Sequence, residues 1–271
     1  MKPTNKTIKI LEFAFTVLVI TTVFSSCVPR KKMIYLKDAE QVAENLSKNY
    51  VNDRTINYKL QPGDNLYIRA VNPTDDKVAA SLTGEGTTGR SSSYSDASIY
   101  LSSYTIDEDG YIEFPLIGKI EVKNLTVEQA KNKMQAVLDQ FMNQTTLIVK
   151  LSNFNITVLG EVSRPNMYKV YQSQINLFEA ISMAGNMTSF AKRDAVRIIR
   201  QTDNGSEIIT VDMGQADILS SDYYYLKPND IIYVEPMPAK QWGFTTFPYS
   251  TVISIISLGI TIVTLTRSLK K

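Results

Sequence analysis

Short stretches in which apolar and polar residues alternate with a period of two are separated by turn-forming residues through the middle of the chain. Leu66, Ile68 and Ala70 alternate with outward positions and predict a strand. Gln61-Pro62-Gly63-Asp64 precedes it, with Pro and Gly at the two central positions of a type II turn. Tyr104 to Ile106 reads as a strand, Asp107-Glu108-Asp109-Gly110 as a hairpin turn and Tyr111 to Phe114 as the return strand. The period then lengthens. Ala130, Met134, Val137, Leu138 and Phe141 fall on one face of a helix, and Thr126 with Gln129 has capping-box spacing at its start. Thr146 to Leu151 returns to strand alternation.

A second unit opens at Asn155. Ile156 to Leu159 predicts a strand, continued through Gly160-Glu161-Val162 and Arg164-Pro165 into Met167 to Val170. Leu177, Phe178, Ile181, Ser182 and Ala184 fit a short helix that Gly185 ends. Ala195 to Arg200 and Glu207 to Val211 form a hairpin about Asn204-Gly205, and Ile231 to Val234 closes the unit. The pattern is that of an α+β protein. Between the first two strands, residues 76–98 hold glycines and a Ser/Thr-rich run with little apolar content, which predicts a flexible loop.

The two ends differ from the middle. Lys2, Lys6 and Lys9 precede an apolar stretch from Phe13 to Phe24, then Ser25, Ser26 and the lone Cys27. This reads as a secretory signal over residues 1–26, with residues 27–55 as a tether. At the other end, residues 240–271 hold a predicted helix from Tyr249 to Ser268, about 30 Å long at 1.5 Å per residue, the thickness of a bilayer core. Ser250, Ser254, Ser257, Thr261, Thr264 and Ser268 lie within an arc of about 80° on it. Two readings stand on chemistry alone. The hydroxyls line a wet passage between packed copies of the helix, or they bond back to their own carbonyls in a single anchor.

Charge and composition remove several classes. The chain of 271 residues carries a formal net charge of +2 and has no basic stripe with interleaved aromatics, so nucleic acid is not an expected partner. It has no histidine and one cysteine, which removes the commonest general base and any cysteine-cluster zinc site; no metal or cofactor is expected. Asp107, Glu108 and Asp109 would be the carboxylates for a glycan hydrolase, but a tight solvated turn accounts for them and the chain is not expected to be an enzyme.

Leu60-Gln61-Pro62-Gly63-Asp64, Asp109-Gly110-Tyr111-Ile112 with Pro115 and Gly118, and Asn124-Leu125-Thr126 make residues 56–153 resemble the export domain of the Wza-like outer-membrane polysaccharide export family. Val158 to Val162 with Arg164-Pro165, Ala184-Gly185, Ile199-Arg200 and Leu226 to Ile231 make residues 154–236 resemble an SLBB β-grasp domain. Asn166, Asn186 and Asn229 stand where the family tends to have Gly, and asparagine tolerates the left-handed conformation. The resemblance implies a small mixed β-sheet domain followed by one β-grasp domain, a lipid anchor on Cys27 and a C-terminal transmembrane helix. It implies a homo-oligomeric ring, an octamer in the family's model, lodged in the outer-membrane lipid with most of the chain in the periplasm. Polysaccharide would be in transit, and the inner-membrane partner a co-polymerase, often a tyrosine autokinase. A periplasmic glycan-binding lipoprotein is the alternative.

Overall fold

The computed structural model describes residues 33–38, 49–52, 58–72, 96–114, 117–142, 144–202, 204–238, 240 and 249–268. Cys27 and the signal segment, Pro115, residues 76–95 of the predicted loop and the aromatic run before the last helix lie outside them. Two apolar cores lie in succession along the chain, one built from Leu60 to Val149 and one from Phe154 to Val234, with Leu151 packed against both.

In the first unit, β1 (Asn65–Val71) buries Leu66, Ile68 and Ala70 and is the middle strand of three. It pairs antiparallel with β2 (Tyr104–Thr105) on one side and β5 (Thr146–Leu151) on the other. A short helix, α1 (Asp96–Leu101), precedes β2, so positions 96–98 of the predicted loop are helical. The turn at Asp107 to Gly110 is present, with the Gly110 amide bonded to the Asp107 carbonyl at 2.9 Å. Its following strand β3 (Tyr111–Phe114) does not return along β2. It pairs forward with β4 (Gly118–Glu121).

Helix α2 (Val127–Leu138) buries Ala130, Met134 and Leu138, a stripe at i, i+4 and i+8 that closes the core over β5. Its capping box forms as expected: the Gln129 amide donates to Thr126 Oγ1 at 3.2 Å and the Thr126 amide donates to Gln129 Oε1 at 2.9 Å. Phe141, expected on the same face, lies beyond the helix end and is 63% exposed.

In the second unit, β6 (Asn155–Gly160), β7 (Asn166–Lys169), β9 (Ala191–Thr202), β10 (Gly205–Val211) and β12 (Ile231–Pro236) form one sheet in the order β10-β9-β12-β6-β7. The closing strand β12 is central, parallel to β6 and antiparallel to β9. Two short strands, β8 (Ile175–Asn176) and β11 (Tyr225–Leu226), pair beside it. Helix α3 (Leu177–Met183) starts with a second capping box, Asn176 with Glu179, and packs Leu177, Ala180 and Ile181 into the core. At Gly160 the backbone has φ +89°, and a Cβ there would stand 2.1 Å from the Val234 carbonyl oxygen. Glycine is what lets β6 end against β12. Asn186 and Asn229 are left-handed at φ 73° and 66°. Asn166 is not among the left-handed residues and begins β7 in extended form.

Part of the segment expected to be a tether lies against the second unit. The Leu36 and Lys37 amides bond to the Met213 and Gly214 carbonyls at 3.1 and 2.7 Å, and Tyr35 packs edge-on to Phe178. The last element, α4 (Tyr249–Ser268), has 20 residues. Among the described residues no helix is long and apolar enough to cross a membrane. The expected terminal helix is thus present, but the expectation that it spans a membrane is not supported.

Candidate functional site

Two turns of the same design stand at the starts of β1 and β12. Leu60-Gln61-Pro62-Gly63-Asp64 and Leu226-Lys227-Pro228-Asn229-Asp230 each bury the leucine and the aspartate. In each, the aspartate amide donates to the carbonyl three residues back, Gln61 at 3.1 Å and Lys227 at 3.2 Å. In each, the aspartate Oδ2 accepts from that same residue's amide, at 2.9 Å from Gln61 and 2.8 Å from Lys227. The fourth position is left-handed in both, Gly63 at φ +88° and Asn229 at +66°. Each aspartate carbonyl then takes an amide from a neighbouring strand or its extension, Ile106 at 2.9 Å and Thr157 at 3.0 Å.

The two carboxylates have different partners. Asp64 accepts from the Tyr58 hydroxyl at 2.8 Å. Burial pushes the Asp64 carboxyl above the ordinary carboxylate range, while the Gln61 amide, the Tyr58 hydroxyl and Asn153 hold it down. Burial and then the Asp64 charge push the Tyr58 phenol up, and Asp230 adds to the effect from the second turn. Asp230 instead meets a guanidinium in a fork, with Arg200 Nε at 3.0 Å and Nη2 at 2.7 Å. The Arg200 head also lies 5.7 Å from the Tyr223 ring centre. Both acids serve the turns, and neither is placed as an acid or base for chemistry.

Tyr58 and the second turn share a cleft between the units, with a volume of about 560 Å³. The first unit contributes Tyr58, the first turn of α2 and the end of β5. The second contributes Phe154, the segment Tyr171 to Gln174, Ser220 to Asp222, and Tyr225 to Pro228. Sequence reasoning missed this site. Its walls come from segments far apart in the chain; Thr126 and Leu226 to Pro228 belong to motifs read above, but nothing in those motifs says that they face one another. The one local signal was Tyr171-Gln172-Ser173-Gln174, an aromatic beside amides and a hydroxyl where the strand pattern lapses.

The positions read from the sequence lie elsewhere. Ser250, Ser254, Ser257, Thr261, Thr264 and Ser268 are brought onto one face of α4 by its regular period. Ser254 donates to the Ser250 carbonyl at 2.8 Å, Thr261 to the Ser257 carbonyl at 2.9 Å, and Thr264 to those of Ile260 and Thr261 at 3.0 and 2.9 Å. These three donors are satisfied within the helix, while their lone pairs still point outward as acceptors. The rest of α4 leaves large apolar side chains uncovered, among them Ile253, Leu258 and Ile260 at 61–65% exposure. Asp107 caps its own turn, accepting from the Tyr111 amide at 2.7 Å, and that turn does not line the cleft. Among the described residues no group of three His, Cys, Asp or Glu side chains could hold a metal ion.

Comparison with known families places both units. Residues 52–152 match the family described as polysaccharide biosynthesis/export protein, and residues 155–212 match the SLBB domain. Together they take in more than half of the chain. The chain belongs to the polysaccharide export family, pairs an export domain with an SLBB domain, and has its role in polysaccharide export.

Proposed function

We propose that the chain is one subunit of a passive outer-membrane channel for a capsular or extracellular polysaccharide. The observation that carries this is the face of α4: six hydroxyl positions on one side and uncovered apolar side chains around the rest. A single such helix is poorly suited to lipid. A ring of copies resolves both faces at once, with the hydroxyl side toward a hydrated lumen and the apolar side toward lipid and neighbours. Back-bonded hydroxyls suit that role, because a passing glycan meets acceptors that hold it weakly. Ser250, Ser254, Ser257, Thr261, Thr264 and Ser268 line the passage in this reading. Cys27 carries the lipid anchor, and an inner-membrane co-polymerase delivers the polymer. The subunit itself does no chemistry.

Native mass spectrometry of the full chain extracted in detergent tests the ring: discrete higher oligomers are expected, and a strict monomer would sink the channel. Charging α4 tests its orientation. Ser257→Glu and Thr261→Arg should leave membrane-extracted ring levels within about twofold of wild type, whereas Ile256→Glu should lower them at least tenfold, as a charge facing lipid costs about 2–4 kcal/mol. Equal failure of all three would place the hydroxyl face in lipid. The cleft favours a second reading, a tethered glycan-binding lipoprotein. Under it, deletion of residues 241–271 leaves surface polysaccharide intact; under the channel reading that deletion abolishes it.

A further inference from the structure

We propose that the cleft between the export and SLBB units is a binding site for a short run of sugar rings of the exported polymer; this rests on the export reading above. Its volume of about 560 Å³ sits inside the ~300–1,000 Å³ range of small-ligand sites. Aromatic rings from both units line it, Tyr58 from one and Tyr171 and Tyr225 from the other. Tyr171 is 80% exposed, a large ring held in solvent. Amides and hydroxyls stand among the rings, notably Gln172, Gln174 and Ser221.

The ligand class follows from what this lining rejects. A lipid tail needs a wall without amides. A nucleotide or other phosphate needs net positive charge, but the four charged residues of the lining are Glu128 and Asp222 against Lys150 and Lys227, and they cancel. A pyranose ring has an apolar face of C–H groups and a rim of hydroxyls, which matches rings and amides side by side. The lining is open to solvent and comes from two units, so a segment within a longer chain can reach it from outside. Such a site engages the polymer weakly and repeatedly, as transport requires.

The test uses full-length protein in detergent. The probe is a set of short oligosaccharides made by partial hydrolysis of the surface polysaccharide of the cells that produce the chain, labelled at the reducing end. Equilibrium dialysis should give saturable binding to wild type. Tyr171→Ala and Gln174→Ala should each weaken it, the tyrosine change by about tenfold. Phe141→Ala, on an exposed position outside the cleft, should leave it unchanged. Absence of binding to wild type, or equal binding by wild type and both cleft variants, would overturn the proposal. So would an unchanged affinity with a loss of oligomers in the cleft variants, since a neighbouring copy would then be the occupant. Surface polysaccharide in cells separates this from the export reading. Wild type that restores surface polysaccharide but does not bind the probe sinks the site alone, whereas a deletion strain with full surface polysaccharide sinks export itself.

Discussion

The two turns that open β1 and β12 share a backbone and differ in what meets the carboxylate. At Asp64 the partner is a phenol, neutral and single-toothed, with backbone and Asn153 donors around it. At Asp230 the partner is a guanidinium that matches both oxygens, and the pair is 6% and 1% exposed. The same local fold is thus closed by two different electrostatic means. Neutral closure leaves the acid sensitive to proton concentration. Ionic closure ties the turn to β9 by two charge-assisted bonds, and leaves a stranded charge if either partner is lost.

The largest effect should come from breaking the ionic closure. Arg200→Met strands the buried Asp230 carboxylate and should destabilise the second unit by about 3–5 kcal/mol, read as a lower unfolding midpoint of the full chain in urea. A loss below about 1 kcal/mol would mean that the two turns are held alike. Next comes the neutral closure. Tyr58→Phe removes one hydrogen bond to a buried acid and should cost about 1–2 kcal/mol. It should also change the pH dependence. Because burial lifts the folded Asp64 carboxyl above its ordinary value, its contribution is fully present below the unfolded pKa and is lost as pH rises through the folded one. The phenol donor opposes that lift. Its removal moves the upper edge of the window to higher pH, so melting temperature should fall more steeply with rising pH in Tyr58→Phe than in wild type once pH passes above the ordinary carboxylate range.

The smallest effect concerns the left-handed position. Asn229→Gly should stabilise by about 0.5 kcal/mol, and Gly63→Asn should cost a similar amount. Nothing lies within 4 Å of a Cβ built at Gly63, so only backbone preference is at stake. Opposite signs in urea melts would show the turns to be interchangeable; a much larger loss at Gly63 would show that they are not.

Local grammar made much of this fold legible. Alternation at Leu66, Ile68 and Ala70 and the capping box of Thr126 and Gln129 specify elements from residues a few positions apart. The turn at Gln61 to Asp64 was legible from its Pro and Gly. Pairing was harder. Asp107 to Gly110 signals a turn, but the turn does not say that Tyr111 to Phe114 pairs forward with β4 and not back along β2. Phe141 kept the helical period after the helix had ended at Leu138. Arg200 and Asp230 were each visible as part of a motif, but their fork crosses 30 positions. The cleft was hidden for the same reason: it exists only once two separately folded units lie together. The face of α4 was readable because a helix sets its own geometry, while what surrounds the helix is not written in one chain.

The central place of β12 has a mechanical consequence. The chain runs from this strand toward α4, and the strand is gripped along both sides, by β6 and by β9. A tug transmitted back along the chain from the terminal helix loads both ladders in shear together. An edge strand would peel away one bond at a time. The buried Glu161, paired with Lys240 and accepting from Thr188, fastens the strap just beyond β12, so strain arriving from the helix meets a rivet before it reaches the sheet.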